Sequence, residues 1–433
     1  MTRRTLLTAL MLAWPAAAAA QAAPPITTFT SGGITVIHKP ITANDVVAAR
    51  LFLRGGAAAL TPTTAGIERL IGDVSTHGTT KYDKDQFANL AAITGTNIGS
   101  AVDYDFTVFT VQAVRQHWNE AWDLFTQAAL SPTFPQAEVE QVRGQIVDAL
   151  AQRRDSPDNH LQELGDSLLY AGHSYAVDPE GTEAAIGRLT RDDLAQWHRR
   201  RFTKANLLLV VVGNVSRADL DAKVAAAFGG LPATGGEAVP AAPLSAGRAN
   251  LAMVQQELPT NYIIGLYAAP GPSHPDYPAL RVATRVLSER LFEEVRTKRN
   301  LSYAVFAGLG GRVANRGQIY VTAVQPDTTL KVMQAEVRRL QQDLVPVPRL
   351  GQTVNVFLTS HLMSQQSNMG QAADLGLWEL SGGGWASSRA YLDRLRAVTP
   401  ADVQRVARTY MKSFSFALIG DPAKVDPAFV TTF

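Results

Sequence analysis

"LTRDDLAQWHRRRFTKANLLLVVVGNV", residues 189–215, has a counterpart near the far end of the chain, "VTPADVQRVARTYMKSFSFALIGDP", residues 398–422. Both run through a threonine cap, an acid, a helical segment, an aromatic and an apolar strand closed by Gly213 or Gly420. A repeat of this length signals internal duplication. Between the copies, residues 229–248, "GGLPATGGEAVPAAPLSAGR", are rich in Gly, Pro and Ala and have no apolar period. That is a linker composition. The chain thus reads as residues 26–230, a linker at 231–248, and residues 249–433.

Each half mixes strands with helices. Apolar runs predict strands at 34–38, 46–54, 105–113 and 206–212, then at 250–256, 261–268, 302–309, 317–323 and 414–419. Helical periods fall at 65–77, 84–93, 117–129, 136–154, 158–170, 192–202 and 216–227 in the first half. In the second they fall at 276–289, 328–344, 350–364, 387–395 and 400–411. Hairpin-like strands beside helix pairs fit an α+β class better than a doubly wound parallel sheet.

At 433 residues the chain exceeds one core, and its 46% apolar share can fill two. Net charge is +2 with both signs mixed along the chain, so no basic face for nucleic acid is indicated. The absence of cysteine excludes disulfides, thiol nucleophiles and thiolate metal sites. "MTRRTLLTALMLAWPAAAAAQAAPP" has the charged, apolar and small-residue order of an export signal, with cleavage expected near Ala22. Residues 1–22 are therefore read as a signal peptide, its Arg3-Arg4 pair leaving both general and twin-arginine export open. The mature chain is expected in the periplasm, with no membrane span.

"GIERLIGDVSTHGTT", residues 66–80, predicts a helix with Ile67, Leu70, Ile71 and Val74 as its apolar stripe. Thr63 and Thr64 are its candidate N-caps and Gly78 its stop. Arg69, Gly72 and Asp73 share another face. The histidines, His38, His77, His117, His160, His173, His198, His274 and His361, are scattered, and no two stand four apart. A zinc site needs three or four protein ligands, so no site is visible in this inventory.

These stretches, together with "LFEEVRTKRNLSYAVFAG" and the two repeat ends, resemble the pitrilysin-type zinc peptidases, which include insulysin and the mitochondrial processing peptidase. The resemblance covers nearly the whole mature chain. It implies two homologous domains, each a mostly antiparallel sheet with helices packed on one side, forming a half-shell. The family's inverted zinc motif, H-x-x-E-H, falls at Arg69, Gly72 and Asp73, and its third ligand at or near Ala149, beside Asp148. A permanently charged guanidinium cannot ligate zinc. The helix is expected to keep the fold without the metal.

The resemblance assigns another role to the second half. Arg296 and Tyr303 match the R-x6-Y pair that binds substrate and stabilises the tetrahedral intermediate in the family, and both side chains are hydrogen-bond donors suited to an oxyanion. Without the family context, Arg296 also fits a solvated face in the charge run Glu293, Glu294, Arg296, Lys298, Arg299, and Tyr303 fits a core-packed strand residue. There are departures as well. "RVLSERLFEEV" lacks the glycine-rich loop often found before this segment, and "GLGGR" and "SGGGW" (308–312, 381–385) read as turns, with substrate-facing loops as the alternative. "TGTNIGSAVDYDFTVF" (94–109) resembles the edge-strand region where peptides add as a strand. The expectation is a metal-free subunit, inactive alone, that binds no cofactor and supplies Arg296 and Tyr303 to a homologous chain carrying H-x-x-E-H and zinc. Its substrates would be peptides. The rival expectation is a structural or peptide-binding homologue; no Ser/His/Asp or paired-carboxylate set supports a metal-independent enzyme.

Overall fold

The computed structural model describes residues 25–433 apart from positions 237, 239, 246 and 248, and leaves the side chains of residues 429 and 431 undescribed. The signal-peptide expectation lies outside the described residues. One sheet is built from β1 (Thr27–Ser31), β2 (Ile34–Pro40), β3 (Val46–Arg54), β4 (Asn97–Val102), β5 (Phe106–Val114) and β6 (Leu207–Gly213), in the order β1-β2-β6-β3-β5-β4. The other holds β7 (Leu251–Gln255), β8 (Asn261–Ala269), β9 (Val305–Leu309), β10 (Asn315–Ala323) and β11 (Ser415–Gly420), in the order β7-β11-β8-β10-β9. Apart from β1 the two orders are the same. β6 lies parallel to β2 and antiparallel to β3, and β11 lies parallel to β7 and antiparallel to β8. The fold is α+β, duplicated.

The helices of the first half are α1 (Ile67–Val74), α2 (Lys84–Thr94), α3 (Trp118–Leu130), α4 (Gln136–Asp155), α5 (Pro157–Leu169), α6 (Glu183–Ile186), α7 (Arg191–Arg201) and α8 (Arg217–Phe228). Those of the second are α9 (Tyr277–Leu291), α10 (Pro326–Gln342), α11 (Val347–Ser364), α12 (Asn368–Ser381), α13 (Ser387–Arg396), α14 (Pro400–Tyr410) and α15 (Pro427–Thr431). The two matched sequence stretches fold alike. Thr190 and Asp193 form a capping box at α7, and Thr399 and Asp402 form the same box at α14. Each helix then feeds a fully buried strand, β6 or β11. Gly213 and Gly420 end these strands at φ 148° and 146°, where an L side chain would be strained and a Cβ would crowd Val46 or Asn261.

One face of the first sheet packs on α1, α3, α4, α7 and α8 around Leu51, Leu70, Phe125, Leu194 and Leu209. The other face is covered by a helix from the other half. Ala372 and Leu375 of α12 pack on Phe52, Val108, Leu208 and Val210. The exchange is mutual, because Leu161 of α5 packs on Ile264, Leu266, Ala417 and Ile419 of the second sheet. Each lent helix has a glycine at its closest approach: a Cβ at Gly376 would overlap the ring of Phe52, and one at Gly165 would lie 3.0 Å from Leu266. Asn368 anchors the start of α12 by donating to the carbonyl of Val46 at 2.6 Å. Burying each such Leu or Phe stabilises by about 1.5–3 kcal/mol. Helices therefore flank each sheet on one side, as expected, with one lent helix on the other.

Helix α12 was not expected from the sequence. Its apolar residues point two ways, Leu375 to the first sheet and Trp378 to Tyr391, so no single stripe forms. β1 is not predicted by the apolar runs either, and β4 is foreshadowed only by the resemblance of 94–109 to an edge-strand region. β4, "NIGSAV", is an edge strand with low strand propensity, paired only with β5. The strand expected at 302–309 begins only at Val305, because residues 303 and 304 form a bend. Among the described residues no helix is long and apolar enough to cross a membrane.

Candidate functional site

Helix α1 is shorter than expected, and its cap differs. Gly66, at φ 82°, is the N-cap and makes no side-chain cap bond. Thr61, Thr63 and Thr64 bond among themselves through their hydroxyls instead. Gly66 is required because Gly181 and Ile186 press against it, so only the left-handed, side-chain-free residue fits. The helix face carrying Arg69, Gly72 and Asp73 looks toward β4 and the 178–183 loop. Arg69 Nη1 pairs with Glu180 Oε2 at 3.1 Å, and its Nε lies 3.8 Å from Asp73 Oδ2. Burial pushes the Asp73 and Glu180 carboxyls up, and Arg69 opposes the shift in both.

This arrangement does not fit a zinc ion. Arg69 puts a fixed cation where a ligand would be required. Gly72 has no side chain, and the space beside it is filled, since a Cβ there would overlap Ser100 Oγ and lie 2.8 Å from Ser100 Cβ. Ala149, on α4, is exposed and has only a methyl group, and Asp148 beside it is exposed too. Among the described residues no group of three or more His, Asp or Glu side chains could hold a metal. Restoring the motif glutamate alone is therefore expected to cost stability. Gly72→Glu should lower it by about 1–3 kcal/mol through overpacking, and Ser100→Gly in the same chain should recover most of the loss. Urea unfolding of the three proteins checks this; an unchanged midpoint in Gly72→Glu would show that the packing is looser than described.

The second site is built by a local break in α9. The helix runs into a π-helical turn, Phe292–Thr297, of a kind frequently found at functional sites. Val295 is buried and pins the turn, while Arg296 emerges half-buried. Asn300, at φ 50°, then reverses the chain: its N–H donates to the Arg296 carbonyl at 3.1 Å, and Leu301 N–H donates to that of Val295 at 2.9 Å. Asparagine tolerates this left-handed turn better than other residues with a side chain. Ser302 Oγ fixes the far side by donating to the Ala304 carbonyl at 2.9 Å.

The reversal lays Tyr303 against Arg296. The guanidinium carbon lies 4.2 Å from the Tyr303 ring centre and 4.8 Å from that of Phe292, within cation–π range of both. Tyr303 is 80% exposed, which removes the core-packed alternative. The solvated charge run also resolves differently. Glu294 accepts from Lys298 at 2.8 Å and from Arg299 at 2.6 Å, and these bonds hold its carboxyl down to about 2. Arg296 makes no ion pair among the described residues, so its N–H groups and the Tyr303 hydroxyl stay open to a ligand. Phe292, the second wall of the stack, was not singled out from sequence; an aromatic four residues before Arg296 in one helix was the signal.

A model described as insulinase (peptidase family M16) matches residues 35–179, and one described as peptidase M16 inactive domain matches residues 188–353. An uncharacterized zinc protease of Mycobacterium tuberculosis is 24% identical over 420 residues, covering 94% of this chain and 95% of that one. A non-peptidase homolog of Helicobacter pylori is 25% identical over 169 residues, 39% of each chain. Among solved structures, the peptidase M16 inactive domain from Pseudomonas fluorescens superposes with a TM-score of 0.83 at 20% identity, covering 93% of this chain and all of that one. The periplasmic protease PqqL from Escherichia coli gives 0.78 at 16%, covering 91% of this chain and 45% of that one. The chain belongs to the M16 family of insulinase- and pitrilysin-like peptidases, and the positions that the resemblance assigns to its zinc motif hold residues that do not fit the metal.

Proposed function

We propose that this chain is the metal-free half of a two-chain periplasmic zinc peptidase, supplying Arg296 and Tyr303 to a homologous chain that carries the zinc motif. The observation that carries this reading is the Arg296–Tyr303 stack, held by a shaped turn, exposed, and with its donors unengaged. A guanidinium and a phenol aimed together suit a carbonyl oxygen that gains negative charge. Arg296 orients that oxygen in the bound peptide, and the Tyr303 hydroxyl donates as charge develops. The coverage of under half of PqqL supports the same reading, since so long a chain has room for two such units. The export-signal pattern at residues 1–22 motivates the periplasmic assignment.

The Helicobacter homologue favours a second reading, a peptide-binding scaffold without a share in catalysis. One experiment separates the two. The purified chain is mixed with a homologue from the same source that carries H-x-x-E-H, then examined by sedimentation and a peptide digest. The expected result is one species near twice this chain's mass, with an interface of about 2,000 Å² or more, peptide hydrolysis only in the mixture, and zinc only with the partner. Independent monomers at micromolar concentration would overturn the two-chain reading. A complex no more active than the partner alone would leave the scaffold.

A further inference from the structure

Helices α9, α11, α12 and α13 line a half-open cavity of about 310 Å³ away from both sites above. Its chemistry is unbalanced. Tyr391, from α13, is 7% exposed, and its hydroxyl has no hydrogen-bond partner among the described residues. Buried hydroxyls are nearly always paired, so an open one calls for an explanation. Arg281, from α9, makes no ion pair among the described residues. Its one hydrogen bond there goes from Nη1 to Tyr277 Oη at 2.9 Å, and Tyr277 passes its own proton to the Gly310 carbonyl at 3.1 Å. Tyr277 is thereby fully used. The remaining Arg281 N–H groups and the Tyr391 hydroxyl make no bond among the described residues, although Ser360, His361, Ser364 and Asp374 line the same space.

The walls between these donors are aromatic. Phe357 lies 5.3 Å from the Arg281 guanidinium carbon, and the rings of Trp378 and Tyr391 are 4.9 Å apart. Asp374, from α12, also lines the space, its carboxylate accepting from Ser388 Oγ at 2.6 Å. Its negative charge sets a limit, because a dianion entering beside it meets repulsion that a single carboxylate meets half as strongly. A planar guanidinium fork matches a carboxylate's two oxygens.

We propose that this cavity binds a small monocarboxylate with a planar apolar body, its carboxylate held by Arg281 and the Tyr391 hydroxyl and its body lying against Trp378 and Phe357. The inference is independent of the peptidase reading, since it uses none of the same residues.

Calorimetry on the full chain with phenylacetate, benzyl alcohol and phenyl phosphate tests it. Phenylacetate should bind saturably with a Kd below about 1 mM, a reasonable ceiling for a ligand of that size in a preformed pocket. Benzyl alcohol, of similar shape but uncharged, and phenyl phosphate should each bind at least about tenfold more weakly. Tyr391→Phe should weaken phenylacetate about tenfold, and Arg281→Gln about a hundredfold. The three-ligand comparison on the unaltered chain stands even if a variant fails to fold. No saturable phenylacetate binding up to about 10 mM, or equal affinity for benzyl alcohol, overturns the site. Preference for phenyl phosphate overturns the monocarboxylate assignment.

Discussion

Replacing Tyr303 by phenylalanine is expected to lower kcat of the reconstituted two-chain enzyme by roughly 10²–10³, the usual effect of losing one oxyanion donor. KM should change little, because what is lost is an interaction made in the transition state rather than uniform binding. The structure makes the substitution clean. Tyr303 is 80% exposed, and its hydroxyl makes no bond among the described residues, so Tyr303→Phe removes a donor without disturbing the core. The ring and its 4.2 Å stack on Arg296 remain. Arg296→Ala should lower kcat and also raise KM, since the guanidinium orients the carbonyl before it reacts. Neither change should alter sedimentation of the complex or the partner's zinc content. Steady-state kinetics on a fluorogenic peptide decide the matter. An unchanged kcat in Tyr303→Phe would remove this chain from the chemistry and leave it a scaffold.

The largest effect on stability is expected at Arg201. Glu68, next to Arg69 on α1, is 3% exposed and accepts from Thr107 Oγ1 at 2.5 Å and Trp197 Nε1 at 3.1 Å. Arg201 Nε lies 3.8 Å from its Oε1, and the same guanidinium donates to the carbonyls of Arg54 and Gly236. That last bond and Asn206 strap the start of the linker onto the first half. Arg201→Met keeps the stem and removes the charge, leaving a buried carboxylate unpaired, at a cost of about 3–5 kcal/mol. Burial pushes the Glu68 carboxyl up, while Thr107, Arg201 and Trp197 oppose the shift. A carboxyl whose folded-state value is raised costs no stability below its unfolded value, and the cost builds as the pH climbs from there through the folded value. The Arg201→Met deficit should therefore be larger at pH 8 than near pH 4, and Glu68→Gln in the same chain should recover part of it. Urea unfolding at the two pH values measures this. A deficit that is the same at both would mean that the lost backbone bonds, not the charge, account for it.

Much of this protein was decided by residue identity and local period. The duplication showed in two matched stretches because a capping box, an amphipathic helix and a buried strand are each written within about ten consecutive residues. The misfit to zinc showed too, since no fold makes a guanidinium or a bare Cα a zinc ligand. Tertiary structure decided the rest, because the partners come from chain segments with no common pattern. Glu180 meets Arg69 across 111 residues, and Ser100 closes the space at Gly72 from a strand whose composition hardly announces it. Helix α12 could not be read because half of its apolar face answers to the other half's sheet. Arg296 and Tyr303 were legible as a spacing. Their stacking needed the π-helical turn and the left-handed Asn300, which bend seven residues of chain back on themselves. Local sequence specified what each segment can be, and closing the chain across more than a hundred residues determined which side chains meet.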